Sequence, residues 1–261
     1  MILAPMNKPV HDWHGRRIWV IGASSGIGAA LARQALAAGA RVALSARRAD
    51  ELEQVAAGHP QSLLAPLDVL SPEGWQRQYA RICEVFGGVD LLLFCVARYQ
   101  PERSWEVRQA QAEQTLRTNL SSVYVALDTV LPGMLAAQRG GIALVASAAG
   151  YVGLPGASVY GPGKAALINL AEILYGDLHR KGLDVYLINP GFVQTGLTAK
   201  NKFAMPALQT PEQAASAIWA GIGRGLFEIH FPRRLTNWLK LLQMLPFRWR
   251  TALLQRLVGV S

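Results

Sequence analysis

Three side chains with suitable chemistry lie close together in the chain: Ser147, Tyr160 and Lys164. Tyr160 and Lys164 are four residues apart, so in a helix they share a face and the ammonium can sit beside the phenol. A neighbouring positive charge lowers the pKa of a tyrosine, which is ordinarily about 10. Ser147 ends an apolar run that predicts a buried strand, where a hydroxyl can hold a substrate oxygen. The three predict proton exchange during hydride transfer, whereas a Tyr-Lys pair alone is also typical of surface helices.

A glycine-rich turn near the N-terminus supplies the other half of the pattern. It follows a predicted strand, 16–22, and precedes an alanine-rich predicted helix, 26–38. Gly22 and Gly26 permit a sharp turn and close approach to a pyrophosphate, and Gly28 lets the helix pack on the strand. The helix N-terminus offers free N–H groups and the positive end of a dipole. Because strand, turn and helix occur in this order, they predict dinucleotide binding rather than a turn alone.

Apolar strand-like runs alternate with helical stretches along the whole chain, which favours parallel βαβ units. The predicted fold class is α/β, a doubly wound parallel sheet (Rossmann fold) of about seven strands with helices on both faces. Ligands of such sheets bind beyond the carboxyl ends of the strands, where Gly22, Asp68, Ser147 and Pro190 fall. The predicted strands are 16–22, 41–46, 62–66, 90–95, 141–147, 184–189 and 226–230, and the predicted helices are 26–38, 48–57, 72–86, 105–137, 157–181 and 211–223.

With these motifs in this order, the chain resembles the compact, single-domain branch of the short-chain dehydrogenase/reductase family, from about residue 15 to about residue 230. The family's glycine turn matches Gly22, Gly26 and Gly28. Its catalytic residues and its other cofactor segments match Asn119, Ser147, Tyr160, Lys164, Asp68, Pro190, Gly191 and Thr195. One segment departs from the family: its usual Asn-Asn-Ala-Gly is replaced by Cys95, Val96, Ala97 and Arg98, which brings a large cation near the cleft.

The resemblance implies a role for each matching residue. Tyr160 would exchange the proton, and Lys164 would hold the nicotinamide ribose and keep the pKa of Tyr160 low. Ser147 would hydrogen-bond the substrate oxygen, and Asn119 would hold a water in a proton relay behind Lys164. The residues expected to bind the cofactor are Gly22, Ser24, Ser25, Gly26, Ile27, Gly28, Arg47, Arg48, Asp68, Val69, Ala97, Tyr160, Lys164, Pro190, Gly191, Val193 and Thr195.

The end of the second predicted strand indicates which cofactor binds. An NAD enzyme of this architecture places a carboxylate there for the ribose hydroxyls, but this chain has Ala46, followed by Arg47 and Arg48. A guanidinium pairs with phosphate oxygens, so Arg47, with or without Arg48, favours NADP(H) over NAD(H). Two solvated arginines are the alternative, and Ser25 stands where many NADP members carry another basic residue. NADP in turn favours the reductive direction.

Composition is typical of one intracellular domain. The 261 residues are 51% hydrophobic and 16% charged, enough for one buried core. Cys83 and Cys95 lack metal-type spacing and the five histidines form no ligand constellation, so we predict no disulfide and no metal site. Residues 1–9 are too short and too interrupted for a signal peptide. We expect a cytoplasmic protein that forms a homodimer or homotetramer.

The substrate site is predicted to be apolar. Its walls are expected from residues 148–155 and from residues 192–206, a segment that the family uses as a mobile lid. An apolar pocket favours a hydrophobic or lipid-like carbonyl over a sugar, although such residues also simply pack. The apolar wall residues are Tyr151, Val152, Leu154, Phe192, Leu197, Phe203 and Met205, and the main charges are Lys200 and Lys202.

Basic charge is concentrated near the C-terminus. After Thr198 the chain has nine basic and two acidic residues, which account for +7 of the net charge of +9. From Thr236 to Val258 it is rich in Leu and Trp, is interrupted by Pro246 and has no acidic residue, which predicts two short basic amphipathic helices. We therefore divide the chain into a catalytic domain, 1–232, and a C-terminal extension, 233–261.

Two hypotheses account for this extension. Helices with Trp and Leu on one side and Arg on another can lie in an anionic membrane interface, here at the inner membrane surface. Alternatively, the extension packs on the enzyme or across an oligomer interface. The chain has no uninterrupted apolar run of about eighteen residues, which argues against a spanning helix. The basic residues lie among apolar ones with no reader motif, so no nucleic-acid partner is expected.

Two functions from different classes fit the sequence. The first is an NADP(H)-dependent oxidoreductase that interconverts a carbonyl and an alcohol on a hydrophobic substrate. The alternative is a non-catalytic NADP-binding sensor or interaction protein on the same fold. Retention of all four catalytic matches favours the enzyme, whereas the altered segment 95–98 favours the alternative.

Overall fold

A computed structural model describes residues 4–201 and 205–258, with side chains as far as Leu254. Lys202 and Phe203, two of the expected wall residues, lie outside the described residues. The described chain forms one parallel sheet of seven strands in the order β3-β2-β1-β4-β5-β6-β7. The predicted α/β fold is confirmed. The strands are β1 Arg17–Ile21, β2 Arg41–Ser45, β3 Ser62–Leu64, β4 Leu91–Phe94, β5 Gly141–Val145, β6 Asp184–Pro190 and β7 Glu228–Phe231.

Helices cover both faces of this sheet because each strand has apolar side chains on both sides. Trp19 and Ile21 of β1 enter one core, whereas Ile18 and Val20 enter the other. Such two-sided burial explains why the strands are apolar throughout. The helices are α1 Gly26–Ala37, α2 Ala49–Ala56, α3 Pro72–Phe86, α4 Gln109–Leu116, α5 Ser122–Ala137, α6 Tyr160–Leu178, α7 Pro211–Gly223, α8 Arg233–Gln243 and α9 Phe247–Val258.

Two predicted helices differ from the observed ones. The helix expected over 105–137 is α4 and α5 joined by a π-helical turn, Arg117–Ser121, which contains Asn119. The helix expected to begin at 157 begins at Tyr160. Pro162 lies in its first turn, where the missing N–H of a proline has no intrahelical partner to lose. Tyr160 is therefore at a helix start, and Lys164 follows one turn later.

The stretch from Gln109 to Ala137 is long and apolar enough, by length and composition, to cross a membrane, and an 18-residue window within it has a mean hydropathy of 1.4. It is not an uninterrupted apolar run, because Glu113, Arg117 and Asp128 lie within it. Val123, Ala126 and Val130 of α5 are buried in the core beside the sheet. We therefore interpret this stretch as a core helix.

The two helices predicted in the extension are confirmed as α8 and α9, which are separated at Pro246. Leu239, Leu242 and Leu254 form a small buried cluster with Ala148, Tyr151 and Val152. One face of the extension therefore packs on the loop that follows Ser147. Tyr151 and Val152, expected to line the substrate site, pack against the apolar face of α8 and also line an open cleft after Ser147.

A polar network fixes α8 beside the same loop. Glu228 of β7 accepts hydrogen bonds from the Tyr151 hydroxyl and from Lys240 Nζ, and from Asn189 Nδ2 at 3.0 Å. Gln243 Nε2 donates to the Tyr151 carbonyl oxygen at 2.5 Å. These partners hold the pKa of Glu228 below its usual value although burial alone would raise it. The carboxylate therefore joins β6, β7 and α8 to the loop after β5.

Candidate active site

The glycine turn lies at the centre of the sheet, where β1 has β2 on one side and β4 on the other. The chain order reverses between β1 and β4, and ligands of such sheets bind in the crevice at this point. Ser25 is the N-cap of α1 but makes no side-chain cap hydrogen bond, and the first turn has no acidic residue. The N–H groups at this helix start are therefore available for an anion such as a pyrophosphate.

Each of the three glycines in the turn is required for a different structural reason. Gly22 and Gly26 have φ of +84° and +53°, which residues with a Cβ rarely adopt. A Cβ on Gly26 would lie 3.0 Å from Thr195 Cγ2, so this glycine also brings the turn close to another expected cofactor residue. A Cβ on Gly28 would lie only 2.2 Å from the Gly22 carbonyl oxygen. The glycines thus shape a cradle that a dinucleotide phosphate fits.

Gly28→Ala is expected to lower the free energy of unfolding by about 1–3 kcal/mol, because the new methyl meets backbone that must shift. Urea unfolding followed by circular dichroism measures the change. Gly176→Ala is the matched control, since Gly176 lies in α6 with no atom within 4 Å of its Cβ position. In an open helix position, alanine should stabilise by up to about 1 kcal/mol. Equal effects of the two substitutions would contradict the steric explanation.

The two arginines after β2 differ in their surroundings. Arg48 forms an ion pair with Glu51, with 2.6 Å between Nη2 and Oε2. Arg47 is exposed and has no ion pair among the described residues. Arg47 is therefore the freer of the two predicted phosphate ligands. Asp68 is also exposed, and its Oδ1 accepts from Leu70 N at 3.0 Å, while the side chain of Val69 is buried next to it.

The segment after β6 returns to the glycine turn. Gly191 N donates to Phe231 O at 2.7 Å, which extends the pairing of β6 with β7 past Pro190. Val193 is buried, and the Thr198 hydroxyl donates to its carbonyl oxygen at 2.6 Å. The same hydroxyl accepts from Thr195 N at 3.0 Å. These bonds hold Thr195 close to Gly26.

Ser147, Tyr160 and Lys164 come together between the end of β5 and the first turns of α6. The Ser147 hydroxyl lies close enough to the Tyr160 phenol to lower its pKa, and it accepts from Ala149 N at 3.1 Å. Lys164 is fully buried, and its Nζ donates to the Val145 carbonyl oxygen at 2.7 Å. The same ammonium lies over the Tyr160 ring, 5.6 Å from its centroid. A substrate oxygen can therefore meet the two hydroxyls at one point.

The acidity of Tyr160 differs from the sequence-based expectation. Burial raises the pKa of Tyr160 to about 12, partly opposed by the bond with Ser147. Burial also lowers the pKa of Lys164 to about 8. The net shift is opposite to the predicted one, because burial outweighs any effect of Lys164, whose ammonium lies over the ring and bonds the Val145 carbonyl oxygen instead of the phenol oxygen. At neutral pH the Tyr160 phenol is therefore protonated.

The Asn119 side chain bonds the backbone of the altered segment 95–98. Its Oδ1 accepts from Arg98 N at 2.6 Å, and its Nδ2 donates to Arg98 O at 2.8 Å. Asn119 thereby fixes the segment beside the glycine turn, where Gly22 approaches the Cys95 and Val96 backbone. That Asn119 holds a water of a proton relay stays a prediction.

The side chains of the altered segment are partly buried. Ala97 and Arg98 are partly buried, and Arg98 makes no ion pair among residues 4–201 and 205–254. Cys95 lies near enough to Lys164 to feel its charge, but burial raises the pKa of the thiol to about 12. The thiol is therefore neutral at physiological pH and unsuited to nucleophilic chemistry.

Tyr99, Lys200 and Asn201 were not predicted from the sequence as a group. The Tyr99 ring packs edge-on against Tyr160, with centroids 4.9 Å apart. Its hydroxyl donates to Asn201 Oδ1 at 2.9 Å, and Lys200 Nζ donates to its carbonyl oxygen at 2.9 Å. These contacts hold the segment after β6 over the proton donor. No local periodicity marks them, since they join positions about a hundred residues apart.

An open cleft of about 620 Å³ lies between the loop after Ser147 and the first turns of α6. It is lined by residues that directly follow Ser147 and Tyr160, including Ala149, Gly161 and Pro162, and by the exposed Trp105. None of the four predicted catalytic side chains lines it. Within the described residues, no group of three or more His, Cys, Asp or Glu could hold a metal ion, and both cysteines are free.

Comparisons with known proteins agree with this geometry. The short chain dehydrogenase family model matches residues 16–205. An uncharacterized oxidoreductase of Myxococcus xanthus is 32% identical over 236 residues, 88% of this chain and 93% of the relative. The 3-oxoacyl-(acyl-carrier-protein) reductase FabG of Escherichia coli is 28% identical over 190 residues, 72% of this chain and 77% of that enzyme.

Solved structures show the same fold. The crystal structure of a short-chain dehydrogenase from Streptomyces avermitilis superposes with a TM-score of 0.79 at 24% identity, covering 94% of this chain and 98% of that one. The family match covers most of the chain, including the glycine turn and the Ser147, Tyr160 and Lys164 arrangement. The chain therefore belongs to the short-chain dehydrogenase/reductase family and is an NAD(P)-dependent oxidoreductase that acts on CH–OH groups.

Proposed function

We propose that the protein is an NADP(H)-dependent reductase that converts a hydrophobic carbonyl to an alcohol and catalyses the reverse reaction when alcohol is supplied. One observation carries the proposal: the Ser147 hydroxyl and the protonated Tyr160 phenol lie beside the buried Lys164 ammonium, at the carboxyl ends of the strands, where the glycine cradle also lies. When bound, the nicotinamide supplies or accepts the hydride. The residues of this chain hold the oxygen and move the proton.

In the proposed reduction, the carbonyl oxygen accepts hydrogen bonds from the Ser147 and Tyr160 hydroxyls, which polarises the carbonyl. As negative charge develops on this oxygen, Tyr160 gives it the phenolic proton. The Lys164 ammonium over the ring stabilises the phenolate left behind. Asn119 and Tyr99 act as positioning residues, because Asn119 fixes the neighbouring loop and Tyr99 packs on the ring of the donor.

Selection of NADP(H) over NAD(H) is assigned to Arg47. The side chain is exposed at the end of β2 and free of the ion pair that engages Arg48. The 2′-phosphate is the group that distinguishes the two cofactors, and a guanidinium matches its oxygens. Within this proposal, the glycine turn, Asp68, Val69, Ala97 and the segment after β6 bind the parts that both cofactors share.

Arg47→Ala is expected to raise the Kd for NADPH about tenfold to a hundredfold, because a charge-assisted bond is lost. The Kd for NADH should change by less than about twofold, since the lost contact is not made with it. Isothermal titration calorimetry measures both values. Arg48→Ala is the matched control and should have the smaller effect on NADPH. Equal losses for the two cofactors would show that Arg47 does not read the 2′-phosphate.

The cleft beside the loop after Ser147 and the first turns of α6 supports the proposal of a hydrophobic substrate. Its lining includes Trp105, Val152, Leu154 and Pro155, with Arg103 as the one charged side chain. Such a surface binds apolar substituents of a ketone or aldehyde better than a sugar. The Escherichia coli relative FabG is a 3-oxoacyl-(acyl-carrier-protein) reductase, and 3-oxoacyl groups are also carbonyls on apolar chains.

A screen of purified protein with NADPH against hydrophobic ketones and aldehydes tests the proposed reaction. Loss of absorbance of the reduced cofactor in the presence of a carbonyl is the expected result. Product analysis should find the corresponding alcohol. Absence of turnover for every carbonyl, with NADPH bound tightly, would instead support an NADP-binding protein without this activity.

We also propose that the enzyme is a cytoplasmic homodimer or homotetramer, with a peripheral contact to anionic membrane through the C-terminal extension. Oligomerisation is supported by the outer faces of α5 and α6, where Tyr124 and Ile173 are about half exposed, at 53% and 52%. Exposed apolar side chains on neighbouring helices are typical of subunit interfaces. Light scattering of the full-length protein measures its mass in solution.

A further inference from the structure

We propose that the outward faces of α8 and α9 form a preassembled surface that binds the headgroup region of an anionic phospholipid bilayer. This inference gives residues and geometry to the membrane contact proposed above, and it does not depend on the reaction. The surface is named the interfacial face and consists of Arg234, Trp238, Leu241, Met244, Phe247, Arg248, Trp249, Arg250 and Leu253.

Exposure of large apolar side chains is the first observation. Met244 is 81% exposed, Phe247 and Trp249 are each 69% exposed, and Leu241 is 60% exposed. Trp238 and Leu253 add to these, so six such side chains occur within sixteen consecutive positions. Single exposed apolar side chains are normal on protein surfaces, whereas a cluster of them indicates a binding surface. The apolar groups of this segment therefore require a partner.

Helical geometry gives these side chains a common outward direction. In α8, Arg234, Trp238 and Leu241 are spaced at i, i+4 and i+7 and share the face opposite the buried Leu239. In α9, Trp249 and Leu253 are four residues apart, while Leu254 is buried. Leu239 and Leu254 belong to the same buried cluster. The inner faces of α8 and α9 therefore pack in this buried cluster, and their outer faces are exposed to solvent.

Charge identifies the partner. The chain has no acidic residue after Glu228, so the exposed Arg234 and Arg248 have no acidic neighbour in the extension. Arg250 lies over the Phe247 ring at 5.6 Å, which places a cation beside an aromatic group. In a bilayer interface, arginines contact the anionic headgroups while Trp and Phe enter the boundary with the acyl chains, and this surface offers both kinds of side chain. A second copy is disfavoured because its equally basic face would bring like charges together.

The interfacial face is held in place before any lipid binds. Lys240 and Gln243 on the inner side of α8 bond Glu228 and Tyr151, and the apolar cluster lies beneath them. Binding therefore does not require the helices to fold at the membrane, which would cost affinity. Tyr151 belongs to the loop after Ser147, so the position of the interfacial face is fixed relative to this loop.

Co-sedimentation with phosphatidylcholine vesicles, with and without phosphatidylglycerol, tests the inference on the full-length protein. We expect binding only to the anionic vesicles, stronger at about 0.05 M than at about 0.5 M salt because screening weakens arginine attraction. Trp249→Ser should reduce the partition coefficient about tenfold, since a buried aromatic group is lost. Arg248→Glu should reduce it by on the order of tenfold through charge reversal.

Two substitutions elsewhere are matched controls. Trp105→Ser removes a tryptophan that is 79% exposed, and Arg180→Glu reverses an exposed charge after α6. Both should bind vesicles like wild type. No vesicle binding by wild type, or equal losses in the control and extension variants, would overturn the inference. It would also be overturned if the extension variants changed the mass by light scattering while vesicle binding stayed the same. NADPH turnover on a water-soluble carbonyl, measured in parallel, reports on the reaction separately.

Discussion

Tyr160→Phe is expected to lower kcat by about 10³-fold while leaving the fold and NADPH binding nearly unchanged, because the substitution removes only the hydroxyl that gives the proton. The ring keeps its edge-on contact with Tyr99 and its place below the Lys164 ammonium. Steady-state rates on the best carbonyl of the screen measure the loss. The Kd for NADPH and the thermal unfolding midpoint measure what is retained.

Tyr99→Phe is the matched control for this experiment. It removes a hydroxyl from the ring next to Tyr160, but this hydroxyl donates to Asn201 instead of meeting Ser147. We expect kcat to stay within about tenfold of wild type, since the proton donor is intact. If Tyr160→Phe turned over at a similar rate, the phenol would not be the proton donor.

Lys164→Met is expected to lower kcat by about 10²- to 10⁴-fold without lowering the free energy of unfolding. The pKa of Lys164 falls from 10.5 to about 8 on folding because burial disfavours the charged form. Below pH 8 the folded protein therefore carries a penalty of about 3 kcal/mol, which methionine removes. Loss of the bond to the Val145 carbonyl oxygen offsets this by about 1–3 kcal/mol. The net stability at neutral pH should be equal or higher.

Urea unfolding of wild type and Lys164→Met at several pH values tests the linkage. Between pH 8 and 10.5 the unfolded chain binds the Lys164 proton and the folded chain does not, so this residue makes wild type more stable as pH rises. The stability of the variant relative to wild type should therefore fall by about 3 kcal/mol across this window. A constant difference would show that the charge of Lys164 is not penalised on folding.

The reaction rate should also depend on the protonation of Lys164. Reduction should slow above about pH 8, where Lys164 loses its charge, whereas Tyr160, with a pKa of about 12, keeps its proton. Oxidation of the alcohol needs the phenol to lose its proton and should therefore be favoured as pH rises. A reductive rate that is constant from pH 7 to about 10 would contradict the stabilising role of the ammonium.

The sheet could be predicted because its strands are buried on both faces. Leu91 to Phe94 and Gly141 to Val145 are apolar throughout, which is typical of parallel strands between two helical layers. Helix starts were less predictable. The start at Tyr160 and the π-helical turn around Asn119 depend on tertiary contacts, such as the amide bonds to Arg98, that local sequence preference does not encode.

The site was predictable where its residues follow strand ends or share a helix turn. These conditions hold for Gly22, Ser147, Tyr160 and Lys164. The structure brings them together at the carboxyl ends of the strands. Tyr99 and Asn201 do not, since their contact joins distant parts of the chain. Tyr151 and Val152, predicted as substrate walls, line the cleft, but the sequence did not indicate that a helix of the extension would also pack on them. Apolar character alone does not say which apolar partner a residue meets.

The Glu228 carboxylate makes the extension part of the same cooperative unit as the sheet. It is one-quarter exposed, and Lys240 of α8 is its cationic partner. A chain ending at Pro232 would leave this carboxylate beside Tyr151 and Asn189 without its cation, and would uncover Ala148 and Val152. An uncompensated, partly buried charge is costly. The boundary at residue 232 therefore separates two sequence compositions within one folding unit, and single substitutions on the outer face probe the extension without unfolding it.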